Sequence, residues 1–256
     1  MFQRYVAVGD SFTEGVGDDD TTRPNGLRGW ADMVAEQIAR HNPDLLYANL
    51  AVRGRLMDRI IAEQVDVAVE MHPDLVTINA GSNDVLRPIL DLDGMMQKYE
   101  VAIGKLAATG ATVVVFAAYD TVASKLYQWF RGRAAVYNEL LRGIAIRQKA
   151  VLVDSWQFSE YSDERMWSRD RLHLSALGHR NMAARVLETL GVPHVLEPIQ
   201  SGPLPPLAPT AQVWSDLLWA KDFAMPWVGR RVRGVSSGDK VTPKRPTLLP
   251  VLPPRH

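Results

Sequence analysis

A serine and an Asp-x-x-His pair are the residues of this chain whose types and spacing could carry covalent chemistry. Ser11 follows the apolar run 6–8 and the turn pair Gly9-Asp10, and Asp170 lies three residues before His173. A serine hydroxyl becomes a nucleophile when an imidazole accepts its proton. A carboxylate that accepts the other ring N–H holds that imidazole in one tautomer and orientation. These stretches therefore predict Ser11 as nucleophile, His173 as base and Asp170 as its partner.

Two further residues could supply the hydrogen-bond donors that attack on an ester requires. Gly54 and Asn83 each follow an apolar run that predicts a strand. The N–H groups of Ser11 and Gly54 and the amide of Asn83 are neutral donors of the kind that stabilise an oxyanion. Each residue alone is equally typical of an ordinary turn or loop. Their shared position at the carboxyl ends of strands, where one crevice can gather them, favours a common site.

The ordered set of motifs resembles the four sequence blocks of the SGNH hydrolases, also called GDSL esterases or lipases. The blocks are Gly9-Asp10-Ser11 with Gly15, then Gly54, then Gly81-Ser82-Asn83-Asp84, then Asp170-x-x-His173, and the resemblance covers roughly residues 4–190. It implies Ser11 as nucleophile, Ser11, Gly54 and Asn83 as the oxyanion hole, and Asp170 and His173 as the rest of the triad. It also implies ester or thioester hydrolysis through an acyl-enzyme, without metal or cofactor.

The elements that would position these residues alternate between strand and helix. Strands are predicted near 4–8, 45–52, 75–80, 112–118 and 151–154, and helices near 30–38, 56–68, 93–106 (capped by Asp93), 124–148 and 176–190 (capped by Ser175). Such alternation is typical of a parallel sheet with helices on both faces. We therefore expect an α/β fold, a three-layer α/β/α sandwich with a five-stranded parallel sheet in the flavodoxin-like order 2-1-3-4-5.

Two residues near the motifs are expected to be structural. Asp10 should brace the turn beside Ser11. His179 follows His173 by six residues, a spacing that does not put both on one helix face, so a zinc pair is not predicted.

The C-terminal part of the chain differs in composition from the rest. We expect an SGNH hydrolase domain over residues 1–192, then a Pro-rich linker, a short apolar helix and a basic tail over residues 193–256 packed on that domain. By composition residues 236–256 are predicted to be disordered. Trp214, Trp219 and Trp227, with Phe223 beside them, are a hypothetical wall of the acyl pocket.

Charge and composition limit the partners and the location. The 256 residues carry no net charge and no cysteine, so a basic field for nucleic acid, disulfides and thiolate sites are not expected. Residues 221–256 have a net charge of +6 and the remainder −6. Docking of the tail onto the acidic body is favoured over membrane contact. Without a signal peptide or an apolar spanning stretch, a cytoplasmic location is expected, and the oligomeric state stays open.

Three functional alternatives accompany a short-chain esterase acting on small-molecule esters. A lysophospholipase or acyl-thioesterase would use the same chemistry on longer acyl chains. A non-catalytic binding module of the same fold is disfavoured because every catalytic part is present. A flavodoxin-like flavin or nucleotide binder is disfavoured because the first turn lacks Gly-x-Gly-x-x-Gly.

Overall fold

The computed structural model describes residues 1–121, 127–197, 209–226, 229, 233 and 235–251. The strands are β1 (Arg4–Val8), β2 (Leu46–Asn49), β3 (Leu75–Ile78), β4 (Thr112–Phe116), β5 (Val151–Val153) and β6 (Arg245–Pro250). The helices are α1 (Ser11–Glu14), α2 (Gly29–Ala39), α3 (Met57–Ile60), α4 (Asp66–Glu70), α5 (Ser82–Val85), α6 (Leu92–Ala107), α7 (Arg131–Gln148), α8 (Ala176–Leu190) and α9 (Pro209–Trp219). The π-helical turn Ile61–Val65 joins α3 to α4, and a second one, Ala220–Ala224, continues α9.

The strands form one six-stranded sheet in the order β5-β4-β3-β1-β2-β6. Strands β1 to β5 pair in parallel, and β6 pairs antiparallel with β2. The prediction of five strands in the order 2-1-3-4-5 was therefore wrong in the number of strands and in the complete order. The five parallel strands do keep that relative order, and the tail adds β6 beside β2, where an unpaired edge would otherwise expose its backbone groups.

Alternate residues of the strands face two separate apolar layers, as the pleat of a sheet requires. In β1, Val6 and Val8 point to the layer formed with α3, α6 and α7. Tyr5 and Ala7 point to the layer formed with α2 and α8. The predicted three-layer α/β/α arrangement is confirmed.

Hydrogen bonds at the helix ends test two predicted caps. Ser175 caps α8 as predicted, because its hydroxyl accepts a hydrogen bond from the Gly178 N–H at 3.2 Å. Asp93 does not cap α6. Asp91 does so instead and accepts from the Gly94 N–H at 3.0 Å, so the helix begins two residues earlier than expected. The predicted helix start near 124 lies outside the described residues.

The segment from residue 235 to 251 is ordered against the domain, so the prediction of disorder from residue 236 was wrong for this part. Arg245 lies over the Tyr47 ring at 5.3 Å and donates to the Tyr47 carbonyl at 3.3 Å. The side chain of Lys244 is fully buried, and its Nζ lies 3.0 Å from Asp32 Oδ2. Two basic tail residues are thus docked on the domain by charge and by stacking.

The outer face of α9 carries exposed apolar side chains, among them Trp214, Leu217 and Leu218. No helix in the described part of the chain combines the length and the apolar character that crossing a bilayer requires.

The Lys244–Asp32 pair generates a stability prediction. Lys244→Met leaves the Asp32 carboxylate buried without its cation, and breaking a buried pair in this way typically costs about 3–5 kcal/mol. We expect a loss of that order in the free energy of unfolding, measured by urea titration. A second change, Asp32→Asn, should recover much of it, because the amide oxygen still accepts the Tyr47 hydroxyl. The control is Lys240→Met, at an exposed lysine of the same segment. Equal free energies of unfolding for Lys244→Met and Lys240→Met would contradict a stabilising role of the buried pair.

Candidate active site

The backbone around Gly9 fixes the position of Ser11 at the start of α1. Gly9 has a φ of 155°, and a Cβ there would lie 2.6 Å from Thr13 Oγ1 and 2.8 Å from the Asn79 carbonyl oxygen. The buried amide of Gln64 accepts from the Gly9 N–H at 2.8 Å and donates to the Gly9 carbonyl at 2.9 Å. The chain therefore leaves β1 in one tightly held conformation, which sets the direction of the serine.

The structure brings the three predicted triad residues together. His173 Nε2 lies 2.9 Å from Ser11 Oγ, and His173 Nδ1 lies 2.5 Å from Asp170 Oδ2. Both the imidazole and the carboxylate are about one-fifth exposed, so substrate and water can reach them. This linear arrangement can move a proton from the serine to the imidazole while the carboxylate holds the ring.

The second carboxylate oxygen of Asp170 is fixed by its own turn. Oδ1 accepts the Ser168 hydroxyl at 2.6 Å and the N–H groups of Leu172 and His173, each at 3.0 Å. Burial acts to raise the pKa of Asp170, but the hydrogen bonds and charge of His173, together with the Ser168 bond, outweigh it and hold the pKa well below its usual range. The carboxylate therefore stays ionised. The sequence alone did not lead to a prediction for Ser168, although a hydroxyl two residues before Asp170 could have indicated it.

The α9 helix contacts the turn that carries Asp170 and His173. Arg171 has a φ of 58°, unusual for a residue with a side chain, and donates to Asp216 at 2.6 Å and Ser215 at 2.8 Å. The Trp219 indole donates to the Asp170 carbonyl at 2.8 Å. Trp219 thus supports the turn, whereas the side chain of Trp214 is 67% exposed. Trp227, the third residue of the hypothetical pocket wall, lies outside the described residues.

The loop carrying Gly54 is tied to α1 by an ion pair between Arg53 and a buried glutamate. Glu14 is fully buried and accepts from the Arg53 N–H at 2.7 Å and from its guanidinium at 2.6 Å. The Val52 N–H donates to the Gly9 carbonyl at 3.2 Å. Gly54 itself has a φ of 73°, which favours glycine. Neither Glu14 nor Arg53 was predicted to belong to the site. The available signals were their positions, three residues after Ser11 and directly before Gly54.

Asn83 lies between the Gly54 loop and the turn that carries Ser11. Its Nδ2 donates to Asp10 Oδ2 at 3.0 Å and to the Arg55 carbonyl at 3.1 Å. Both amide hydrogens are therefore engaged. Within the described ranges no acceptor is bonded to the N–H of Ser11 or of Gly54. The four predicted blocks meet at the carboxyl ends of the strands, where the N–H groups of Ser11 and Gly54 and the amide of Asn83 lie on neighbouring turns.

The contacts of Asp10 agree with the predicted bracing role. It is 2% exposed and accepts from the Phe12 N–H at 3.1 Å as well as from Asn83. Burial raises the pKa of Asp10 to about 6, with the Phe12 hydrogen bond and the charge of His173 acting in the opposite direction.

His179 is a buried structural residue, as expected. Its Nε2 lies 3.1 Å from the Val16 carbonyl, and its Nδ1 accepts from the Trp30 N–H at 3.3 Å. Burial lowers its pKa to about 3, which keeps the ring neutral. With both ring nitrogens engaged by the backbone, neither is available to a metal.

A family model described as the GDSL-like Lipase/Acylhydrolase family matches residues 7–180. The chain belongs to this family. It is accordingly a hydrolase of carboxylic esters. A search of curated protein sequences gave no match.

Solved structures of similar fold include TesA and two acetyl xylan esterases. A structure entitled TesA is 23% identical, with a TM-score of 0.59, and the match covers 73% of this chain and 98% of that one. The acetyl xylan esterase AlAXEase is 18% identical, with a TM-score of 0.59 and coverage of 73% and 99%. Axe2, an acetylxylan esterase from Geobacillus stearothermophilus, is 20% identical, with a TM-score of 0.56 and coverage of 78% and 97%. At these identities the likeness shows the fold.

The raised pKa of Asp10 generates a pH prediction. The folded protein binds a proton at Asp10 more tightly than the unfolded chain, so this residue reduces stability as the pH rises from about 4 to about 6. Asp10→Asn removes that effect. The variant should gain up to about 3 kcal/mol over the wild type at pH 8, since each pKa unit corresponds to about 1.4 kcal/mol, and the two proteins should converge near pH 4.

Urea unfolding at several pH values checks this prediction. Asp19→Asn, at an exposed aspartate of the loop after α1, is the control and should run parallel to the wild type. If the difference between Asp10→Asn and the wild type does not change with pH, the carboxylate is not destabilised by burial.

Proposed function

We propose that the protein is a serine esterase that cleaves short-chain esters of small molecules through an acyl-enzyme on Ser11. The observation that carries this proposal is the unbroken chain Asp170–His173–Ser11, with separations of 2.5 and 2.9 Å. Family membership gives the class of reaction, and this chain of contacts supports the assignment of the residues.

Two half-reactions follow from these contacts. Ser11 Oγ attacks the ester carbonyl carbon while His173 Nε2 takes its proton, and the carbonyl π electrons move onto oxygen. When this intermediate collapses, the bond to the leaving alcohol breaks and His173 returns the proton to it. Water then attacks the acyl-enzyme with His173 again as base, which releases the acid and restores the serine. Turnover should fall at acidic pH, because a protonated imidazole cannot accept the serine proton.

Two kinds of hydrogen-bond donor would stabilise the oxyanion, namely backbone N–H groups and a side-chain amide. The N–H groups of Ser11 and Gly54 have no bonded acceptor in the described part of the chain and need no rearrangement. Asn83 must release one of its two present acceptors. Because hydrogen bonds to a carboxylate are stronger than bonds to a neutral carbonyl, the bond to Arg55 yields before the bond to Asp10.

The surroundings of the triad favour a small, polar substrate. The turn beside His173 is polar. Arg169 is exposed, whereas Ser168 and Arg171 are engaged by Asp170 and Asp216. A long acyl chain gains affinity by burying apolar surface, roughly 25 cal/mol per Å², and polar side chains supply little of it. Two solved structures of similar fold are entitled acetyl xylan esterases, which supports acetyl esters as the first substrates to test.

The second candidate is hydrolysis of longer acyl esters or thioesters, as in a lysophospholipase or acyl-thioesterase. The exposed apolar face of α9 favours it, because this helix contacts the turn that carries Asp170. The two candidates share every catalytic step and differ in acyl length.

Hydrolysis of a p-nitrophenyl ester series from acetate to palmitate tests the proposal. Maximal kcat/KM at short chains is expected, and a maximum at long chains would favour the second candidate. Ser11→Ala should lower turnover by about 10³-fold or more, because the nucleophile is lost. The matched control is Ser162→Ala, at an exposed serine whose hydroxyl donates to the Ser159 carbonyl of its own turn.

Two further observations make this test decisive. An unchanged melting temperature of Ser11→Ala would show that the fold is intact. If the wild type hydrolyses no ester in the series, a phosphonate probe should still label Ser11, and absence of labelling would contradict the nucleophile assignment.

The contact between Asp170 and His173 generates a separate prediction. Asp170→Asn replaces an ionised acceptor by an amide that favours the wrong imidazole tautomer, so kcat should fall by about 10³–10⁴-fold with little change in KM. Steady-state kinetics on the preferred ester measure both constants. Asp222→Asn, at an exposed aspartate in the turn after α9, is the control. If both variants keep full activity, Asp170 does not hold the base.

A further inference from the structure

The N–H of Gly54 belongs to a peptide whose opposite side contacts the C-terminal segment. The carbonyl of Arg53 and the N–H of Gly54 share one trans peptide unit, so they point in opposite directions. A Cβ on Gly238 would lie 2.0 Å from the Arg53 carbonyl oxygen. The backbone of Gly238 therefore lies directly against the carbonyl end of the peptide that carries the donor.

A second contact reaches the next peptide. The Ser236 hydroxyl donates to the Gly54 carbonyl at 3.3 Å, and a Cβ on Gly54 would lie 2.4 Å from that hydroxyl oxygen. The carbonyls on both sides of the Gly54 Cα are thus held by the same short stretch of chain, residues 236–239, which we name the C-terminal turn.

The C-terminal turn is braced internally. The Ser236 N–H donates to Asp239 Oδ2 at 2.8 Å, and the Asp239 N–H donates back to the Ser236 carbonyl at 3.3 Å. The Gly238 N–H donates to the Ser236 hydroxyl at 3.2 Å. These bonds make the turn a fixed surface for the Gly54 loop.

Charged groups anchor the C-terminal turn, and the chain that follows it, to the domain. Arg55 is 7% exposed, donates to the Gly238 carbonyl at 3.4 Å and lies 3.8 Å from Asp239. Downstream, Lys244 and the strand β6 hold the segment to α2 and β2. Moving the turn away from the loop would therefore break the contacts of Arg55 with Gly238 and Asp239.

We propose that the C-terminal turn is a positioning element for the oxyanion donor, with Gly238 and Ser236 aiming the Gly54 N–H at the reacting carbonyl. The proposal rests on the serine esterase function proposed above. The Glu14–Arg53 ion pair holds the loop from the α1 side, and the C-terminal turn holds it from the other side. The element lies beyond residue 180, where the family match ends.

A physical reason makes such support necessary. Gly54 adopts a positive φ, and a glycine peptide is free to rotate unless its neighbours restrain it. A donor stabilises the transition state only when it already points to the position of the developing oxyanion. Contacts on the carbonyl side of the peptide supply that restraint without occupying the substrate side.

Gly238→Ala is the direct test. Gly238 is not among the glycines with positive φ, so alanine is opposed there by the Arg53 carbonyl and, less closely, by the Val52 side chain. Displacement of the donor should lower kcat on the preferred ester by about 10–100-fold, because complete loss of one oxyanion donor costs about 10²–10³-fold. KM and the midpoint of the acid limb of the pH–rate profile should stay unchanged, because Asp170 and His173 are untouched. Lys240→Ala, at an exposed residue directly after the turn, is the control and should keep wild-type kcat.

A second variant covers the case in which alanine at 238 prevents folding. Ser236→Ala removes the hydroxyl contact with Gly54 without adding bulk. It should lower kcat several-fold at an unchanged melting temperature and an unchanged pH midpoint. If a folded Gly238→Ala and Ser236→Ala both match Lys240→Ala, the positioning role is overturned. It is also overturned if the variants change KM or the pH midpoint and leave kcat intact.

The Ser11→Ala protein separates failure of this inference from failure of the proposed function. Wild-type turnover that Ser11→Ala abolishes, with full activity in both turn variants, would overturn the positioning role and leave the serine esterase standing. A wild type that hydrolyses no ester and takes no phosphonate label would overturn both.

Discussion

The pairing of Glu14 with Arg53 is the constraint on which the geometry of the candidate site depends. Glu14 is fully buried, and a buried carboxylate is tolerated only when hydrogen bonds and an opposite charge satisfy it. Arg53 provides both, through its backbone N–H and its guanidinium. Ser11 begins and Glu14 ends the same four-residue helix, so the serine and the Gly54 peptide are connected through a few rigid bonds. The separation of Ser11 from the Gly54 peptide is thereby constrained by a salt bridge.

Other buried acids at this end of the sheet are satisfied in the same way, by a partner from a different element. Asp32 of α2 meets Lys244 of the C-terminal segment, and Glu36 of the same helix meets Arg23 and Arg28 of the preceding loop. The Lys244–Asp32 pair shows how a segment of net charge +6 accompanies a body of net charge −6: part of the positive charge of the segment lies inside the domain as counter-charge. Each pair also fixes one loop, because leaving either partner unpaired in the interior costs several kcal/mol.

The sequence predicted those features that depend on local patterns. Buried parallel strands are apolar runs, and the chemistry-bearing residues follow them directly, so the layers, the relative order of five strands and the meeting of Ser11 with Asp170 and His173 could be predicted. The strand β6 could not, because its sequence RPTLLP contains two prolines and an arginine, and it pairs only because the edge of β2 is available. Glu14 and Arg53 lie near predicted site residues in the sequence, but their pairing could not be predicted, since it comes from contact between residues 39 positions apart.

In the proposed reaction, the N–H groups of Ser11 and Gly54 and the amide of Asn83 differ in how they would meet a developing oxyanion. Within the described residues the two N–H groups have no bonded acceptor, so their full interaction would become available as charge develops. Asn83 exchanges one bond for another, so it contributes the difference between its bond to the oxyanion and its bond to the Arg55 carbonyl. That difference is small for a neutral ester carbonyl and larger for an anion, because charge-assisted hydrogen bonds are about twice as strong. A donor that already bonds an acceptor in the free protein therefore stabilises the transition state more than the substrate. Such a difference accelerates a reaction, whereas equal stabilisation of both would only tighten binding.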